Sequence, residues 1–294
     1  MRMLNDNMVI ANSKASEQRS QPPKDIRQWI KLTVYSLLLA NFAFYIHDDW
    51  TIAQHTLNES SSLLDWTSAF TASIDELAWF VLLFLFELET YALPDESFTR
   101  ARVILMHSVR AVCYVFLAHT LFAYGTATVD LNSLSQVEGS NNLCDFVTEE
   151  LSFGYNLDYT ELDAENCAHL SSNTQFYLID ENLIVTDAPG LVIEKQLTQL
   201  DLMEALTWLL ILLIIEVMVR MQERDITRSR MMSALKALKF MLYGLLWGAA
   251  AYWIYRGHYV YAWDEALWIL GFSAIGMNLS EWRKEIEQEQ EAAS

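Results

Sequence analysis

Glycine and proline are scarce in this sequence, which has 9 Gly and 4 Pro in 294 residues. Transporters built on broken membrane helices interrupt those helices with Gly or Pro, so this architecture is not favoured. Only 3 Cys are present, and the chain has no paired CxxC, HExxH, phosphate loop or nucleophile elbow. We therefore predict that the protein is not an enzyme and that it requires no metal and no cofactor.

Basic residues are also few, with 19 Lys and Arg against 38 Asp and Glu. Nucleic-acid binding is excluded as a function class because phosphate contacts need basic patches. Only Lys195 and Arg256 fall within the segments 47–76, 126–203 and 254–264. Since cytoplasmic loops of membrane proteins carry an excess of Lys and Arg, this distribution predicts both termini in the cytoplasm.

Apolar residues make up 53% of the chain and gather into six blocks. These blocks lie near 30–46, 77–93, 103–125, 205–219, 240–255 and 266–280. Buried helices of a soluble protein are the alternative, and the asymmetry of the basic residues argues against them. The sequence predicts an all-α integral membrane protein with six transmembrane helices, placed as a multi-pass protein in the cell (inner) membrane. Its expected partners are the lipid bilayer and a second copy or another membrane protein.

Two short patterns recur along the chain and predict three pseudo-repeated helical hairpins. In the first, a basic residue precedes a tyrosine by four residues; the pairs are Lys31 and Tyr35, Arg110 and Tyr114, and Lys239 and Tyr243. In the second, an acid precedes a tryptophan by four residues; the pairs are Asp75 and Trp79, Glu204 and Trp208, and Asp264 and Trp268. Each acid–Trp pair opens an apolar run.

The predicted organisation follows from these blocks. It comprises a mobile cytoplasmic tail (1–25), three membrane helices with an external loop at 47–74 (26–125), an acidic extracytoplasmic insert (126–200), three further membrane helices (201–282) and a cytoplasmic tail (283–294). In the insert, Cys144 and Cys167 are expected to form a disulfide. Residues 175–179 and 182–186 are β-prone, and 187–190 predict a turn.

Ionisable residues inside the apolar blocks predict a polar layer near the cytoplasmic side. Glu87 and Glu216 each lie eight residues after the tryptophan of their unit, and Glu89 lies beside Glu87. The three basic–Tyr pairs named above, formed by Lys31, Arg110 and Lys239 with their tyrosines, should reach a similar depth. Such residues mark ion pathways when they face the bundle interior. Alternatively, they only tie helices together.

The sequence therefore predicts cation, including proton, conduction or sensing through this layer beneath an acidic outer vestibule. The alternative is a non-transporting membrane subunit or scaffold whose insert binds a partner. Haem is not expected, because no second helix offers a histidine at membrane depth to join His107 or His119. A surface metal site formed by His47, Asp48, Asp49 and His258 is a weaker alternative.

Glycines in the last two apolar blocks predict close helix packing. Gly244 and Gly248 form a small-xxx-small pattern, and Gly271 and Gly276 lie in the next block. This pattern lets helix backbones approach each other in membranes. We expect contact here between the fifth and sixth helices or between protomers.

Overall fold

A computed structural model describes residues 24–88, 99–149, 151–179, 183–222, 224, 226 and 229–273, without the side chains of 24–28, 30, 31 and 87. The structure is mostly helical (77%). The helices are α1 (Lys24–Thr56), α2 (Leu63–Ala69), α3 (Thr71–Glu87), α4 (Arg100–Ser133), α5 (Cys167–Leu170), α6 (Ala188–Gln222), α7 (Arg230–Arg256) and α8, described over 259–273. A 3-10 helix spans Leu143–Glu149.

Three of the described helices, α4, α6 and α7, are long and apolar enough to cross a membrane. The pair α2 and α3, bent by 71°, counts as a fourth if it forms one span. Apolar side chains on these helices are widely exposed: Val115 is 66%, Leu213 58% and Phe240 80% exposed. Such surfaces are stable against lipid and costly in water. These helices indicate a helical membrane protein, and six spans remain a prediction.

The helices are longer than their apolar blocks predict. The block near 30–46 lies in a helix that continues to Thr56, and the block near 103–125 lies in one that continues to Ser133. The block near 205–219 lies in a helix that begins at Ala188. Hydropathy marks only the part of a helix in lipid, and 35 residues of α6 extend about 52 Å against a hydrocarbon core of about 30 Å.

The turn predicted at 187–190 is wrong, because Asp187 ends β4 and residues 188–190 begin α6. Asp187 Oδ1 accepts a hydrogen bond from the Gly190 backbone N–H at 2.8 Å, which caps the helix. Pro189 is tolerated in the first turn, where its missing N–H would have no partner within the helix.

Between α4 and α6 the chain forms a small sheet unit, which we call the cap (residues 134–187). Its strands are β1 (Ser152–Tyr155), β2 (Asp158–Glu161), β3 (Phe176–Ile179) and β4 (Ile184–Asp187), in the order β2-β1-β4-β3. The two β-prone segments are thus confirmed as β3 and β4. The disulfide between Cys144 and Cys167 is also confirmed, with the two Cα atoms 5.0 Å apart.

The cap is docked on one end of the helices, which we call the cap end. The Arg256 guanidinium at the end of α7 donates to Asn156 Oδ1 at 2.6 and 3.0 Å. Asn156 Nδ2 donates back to the Arg256 carbonyl at 3.2 Å. His55 of α1 lies 2.8 Å from Ser152 Oγ of β1. Polar contacts therefore tie the cap to two separate helices.

The tryptophans of the three acid–Trp pairs meet in the main helical core. The ring of Trp79 on α3 lies 6.0 Å from Trp208 on α6 and 6.4 Å from Trp268 on α8. Phe272 packs against all three rings, closest to Trp208 at 5.2 Å. Leu38 and Leu246, both fully buried, add α1 and α7 to the same core. The three-hairpin repeat itself remains a prediction.

Candidate functional site

A cavity of ≈ 110 Å³ lies between the aromatic core and the cap end. We call it the acidic chamber, because six carboxylates line it and no Lys, Arg or His does so among the described residues. The acids are Asp75, Glu76, Asp201, Glu204, Asp264 and Glu265. The aromatic lining residues are Tyr45, Trp79, Tyr124, Trp208, Trp253, Tyr261, Trp268 and Phe272. The helices α1, α3, α4, α6, α7 and α8 all contribute.

Tryptophan indoles hold four of these acids in place. Trp79 Nε1 donates to Asp75 Oδ2 at 3.1 Å within α3, as the spacing of four residues allows. The other three bonds join different helices. They run from Trp208 Nε1 to Glu265 Oε2 (3.2 Å), from Trp268 Nε1 to Glu76 Oε1 (2.9 Å) and from Trp253 Nε1 to both oxygens of Glu204 (3.1 and 3.2 Å).

Asp264 has its own set of neutral donors. Asn41 Nδ2 donates to Asp264 Oδ1 at 2.9 Å, and the Tyr45 hydroxyl donates to Asp264 Oδ2 at 3.4 Å. The carboxyl group of Glu76 also lies within hydrogen-bonding reach of Asp264. An amide and a phenol therefore donate to this carboxylate, and neither donor carries a charge.

Two buried carboxylate oxygens in the chamber have no hydrogen-bond donor among the described residues. They are Glu76 Oε2 and Glu265 Oε1, on residues that are 7% and 8% exposed. Buried polar atoms are normally paired, and buried charge is neutralised by a partner, a proton or a bound ion. Each of these two oxygens therefore lacks the partner that a proton or a bound cation would supply.

A second cavity of ≈ 250 Å³ lies on the other side of the aromatic core, and Phe272 lines both cavities. Arg110, Glu216, Arg220 and His107 line it together with apolar side chains. The Tyr114 hydroxyl donates to Glu216 Oε1 at 3.2 Å, and Arg220 Nη2 lies 3.5 Å from Glu216 Oε2. Glu216 therefore contacts one phenol, on α4, and one arginine of its own helix.

Among the described residues, three other members of the predicted polar layer do not line this cavity: Tyr35, Tyr243 and Lys239. Tyr35 and Tyr243 pack against the aromatic core, where Tyr243 lies 6.3 Å from the Trp208 ring. Lys239 lies on α7. Glu89 and the side chains of Glu87 and Lys31 are outside the described residues, so their part in the layer stays a prediction.

Among the glycines predicted to pack helices, Gly244 and Gly248 make no close approach to any described residue. A Cβ atom on Gly244 or Gly248 would meet nothing within 4 Å among the described residues. A Cβ on Gly271 would meet Val34 Cγ1 of α1 at 3.9 Å, so Gly271 faces α1 and not α7, the predicted fifth membrane helix. Gly276 lies outside the described residues. A contact between protomers at these glycines stays a prediction.

Three of the four residues of the alternative metal site at the cap end make other contacts. Asp48 accepts a hydrogen bond from the Tyr261 hydroxyl, and Asp49 Oδ2 accepts one from the Ser73 backbone N–H at 2.8 Å. His258 packs edge-on against Trp253 at 5.6 Å, and burial lowers its pKa. Within the described ranges, no three His, Cys, Asp or Glu side chains are placed to hold one metal ion.

The sequence reasoning named three of the six acids but did not assign them to a site. Asp75, Glu204 and Asp264 belong to the acid–Trp pairs, and no sequence pattern assigns Glu76, Asp201 or Glu265 to a site. The repeated pairs were the available signal, because a spacing of four residues puts acid and indole on one helix face. Comparisons with protein-family models, curated proteins and solved structures found no match. The chamber itself is therefore the basis for assigning a function.

Proposed function

We propose that this protein conducts or senses cations, which enter the membrane region through the acidic chamber. The observation that supports this most directly is the lining of the chamber, where six carboxylates face one cavity without a basic residue among those described. Carboxylates in a water-excluded site attract cations and protons far more strongly than they do in water. Ionisable groups are also costly at membrane depth, which favours a function for them.

The depth of the chamber supports a route across the membrane. Glu204 and Glu216 lie twelve residues apart on α6, which corresponds to about 18 Å along the helix axis. This is more than half of a hydrocarbon core of about 30 Å. Cations in the chamber would pass the ring cluster of Trp79, Trp208 and Phe272 to reach Glu216 in the second cavity. The tightly packed rings would act as the gate.

We place the cap and the chamber on the extracytoplasmic side, in an inner membrane with six spans and both termini in the cytoplasm. The distribution of basic residues supports this orientation. So does the disulfide, because disulfides persist in oxidising compartments. The acidic chamber would then be loaded from outside and would empty toward Glu216.

The test combines a binding and a flux measurement on the full chain. Four tryptophans line the chamber, so intrinsic fluorescence of the purified protein should change with pH or added cation. Liposomes containing the protein and a pH- or ion-sensitive dye report flux under an imposed potential. Glu265→Gln should lower the cation response at least tenfold, whereas Glu165→Gln, an exposed acid of the cap, should leave it unchanged.

A fluorescence response without flux assigns the protein to sensing. If folded, inserted protein shows neither response nor flux with any cation, the proposal is wrong. The alternative, a non-transporting subunit or scaffold that binds a partner through the cap, would then replace it. That alternative is tested by asking whether the intact protein captures a membrane partner and whether this capture requires the cap disulfide.

A further inference from the structure

The acidic chamber offers two kinds of group that recognise organic ammonium ions. One is the set of carboxylates; the other is the aromatic lining. The indole N–H groups of Trp208, Trp253 and Trp268 are occupied by carboxylates. What these rings can offer a ligand is their π surface, to which ammonium groups bind by cation–π attraction.

The placement of the acids argues against a bare metal ion. Ca²⁺ takes six to eight oxygen ligands at about 2.3–2.6 Å, so its ligands must converge on one point. The carboxylates of the chamber come from α3, α6 and α8 and surround the cavity. In the described part of the chain no group of three is placed to hold one metal ion. Spread acceptors instead match a cation whose N–H donors are spread.

Two acceptor atoms are available for such donors. Glu265 Oε1 and Glu76 Oε2 are buried and unpartnered among the described residues, on α8 and α3 respectively. A proton shared with Asp264 is an alternative for Glu76, whose carboxyl group lies within its reach. For Glu265 Oε1, an N–H donor of a ligand would supply the missing bond. An ammonium group carries three donors, enough to join a carboxylate and further acceptors.

We infer that the acidic chamber binds a small linear organic cation with two ammonium groups, a short diamine or polyamine. This rests on the proposed cation-handling function and names its substrate class. The cavity of ≈ 110 Å³ is several times the volume of about 10–15 Å³ that one buried water needs. That space suits a short aliphatic chain. Its methylene groups would lie against the rings, and its ends would meet carboxylates of different helices.

The experiment measures binding of 1,4-diaminobutane to the purified full-length protein by calorimetry and tryptophan fluorescence. n-Butylamine, with one ammonium group and the same carbon chain, is the matched ligand. K⁺, Na⁺ and Ca²⁺ salts are the inorganic comparison. We expect 1,4-diaminobutane to bind at least tenfold more tightly than n-butylamine and than any of the inorganic ions. Glu265→Gln and Glu76→Gln should each weaken diamine binding at least tenfold, and Glu165→Gln should not.

The outcomes separate this inference from the proposed function. If protons or inorganic ions change the fluorescence and 1,4-diaminobutane does not bind, the diamine inference is wrong and cation handling stands. If no cation of any kind binds or is transported, both are wrong. Diamine binding that folded Glu265→Gln and Glu76→Gln leave unchanged would place the ligand elsewhere and overturn the inference. The wild-type comparison of diamine with monoamine decides the case even if a variant fails to fold.

Discussion

Trp208 and Glu265 join α6 to α8 through an indole N–H that donates to Glu265 Oε2 at 3.2 Å. Oε1 of the same carboxylate is buried and has no partner among the described residues. One oxygen therefore links two helices, and the proposed ligand would bind the other. Structural and functional roles meet in a single side chain, and the two can be separated by substitution.

Trp208→Phe should destabilise the protein because it removes the donor and keeps most of the ring. The loss of a hydrogen bond to a buried carboxyl oxygen corresponds to about 1–3 kcal/mol in the free energy of unfolding. The unfolding midpoint in detergent checks this. Trp247→Phe, at a position that is 50% exposed on α7, is the control and should leave the midpoint unchanged. Equal midpoints for both variants would contradict the role of this bond.

Replacing Cys144 and Cys167 together with serine should loosen the cap. The bond closes a loop with a sequence separation of 23, and the chain-entropy account gives about 3 kcal/mol for a loop of this size. Limited proteolysis of the cap and hydrogen exchange at β3 and β4 measure the effect. Cys113→Ser changes the buried free cysteine of α4 and should not affect cap proteolysis. Unchanged exchange in the double variant would show that the sheet holds without the disulfide.

Asn156→Gly should weaken the docking of the cap and keep the local backbone. Asn156 has φ +56°, a left-handed conformation that glycine adopts without strain. The substitution therefore isolates the side-chain bonds to Arg256, whose loss should cost about 1–3 kcal/mol. Hydrogen exchange at β1 and β2 should rise.

Asn156→Asp is the matched comparison, because it keeps the acceptor for the Arg256 guanidinium and loses only the bond that Asn156 Nδ2 donates to the Arg256 carbonyl. It should protect β1 and β2 better than Asn156→Gly does. If Asn156→Gly also leaves exchange unchanged, these bonds do not position the cap.

Cysteine labelling should place the cap and the α7 start on opposite sides of the membrane. In a Cys113→Ser background, Glu165→Cys in the cap and Met231→Cys at the start of α7 are both exposed positions. A membrane-impermeant reagent added to intact cells should label Glu165→Cys only, and Met231→Cys should react after lysis. Labelling of both cysteines from one side would contradict the proposed orientation and the six-span arrangement.

The helices were predictable because long apolar blocks are a strong signal, but their ends were not. α6 continues to the cap end through Glu194, Gln196 and Gln199, which carry no hydropathy signal. The acid–Trp spacing also pointed to chamber residues, yet three of the four indole bonds join different helices. Only Asp75 and Trp79 are paired as a local spacing rule predicts. The other three indole bonds depend on how the helices pack against each other.

The hairpin of β1 and β2 was missed for a specific reason. Its two-residue loop is Asn156-Leu157, and both residues have positive φ, +56° and +63°. Such turns usually carry Asn-Gly or Asp-Gly, because a leucine in this conformation is strained. Here Leu157 packs against the apolar cluster formed by Ile193, Leu197 and Trp253. This packing offsets the backbone cost, and no local sequence pattern records it.

The bond from Trp268 to Glu76 joins residues 192 positions apart, which sets the order in which the protein can be completed. At a synthesis rate of about 5–20 residues per second, Glu76 is made about 10–40 s before its indole partner exists. In the proposed six-span arrangement, α3 enters the membrane during that interval without the indole donor of this acid. A nascent chain that stops short of α8 therefore leaves Glu76 without the hydrogen bond that the finished chain gives it.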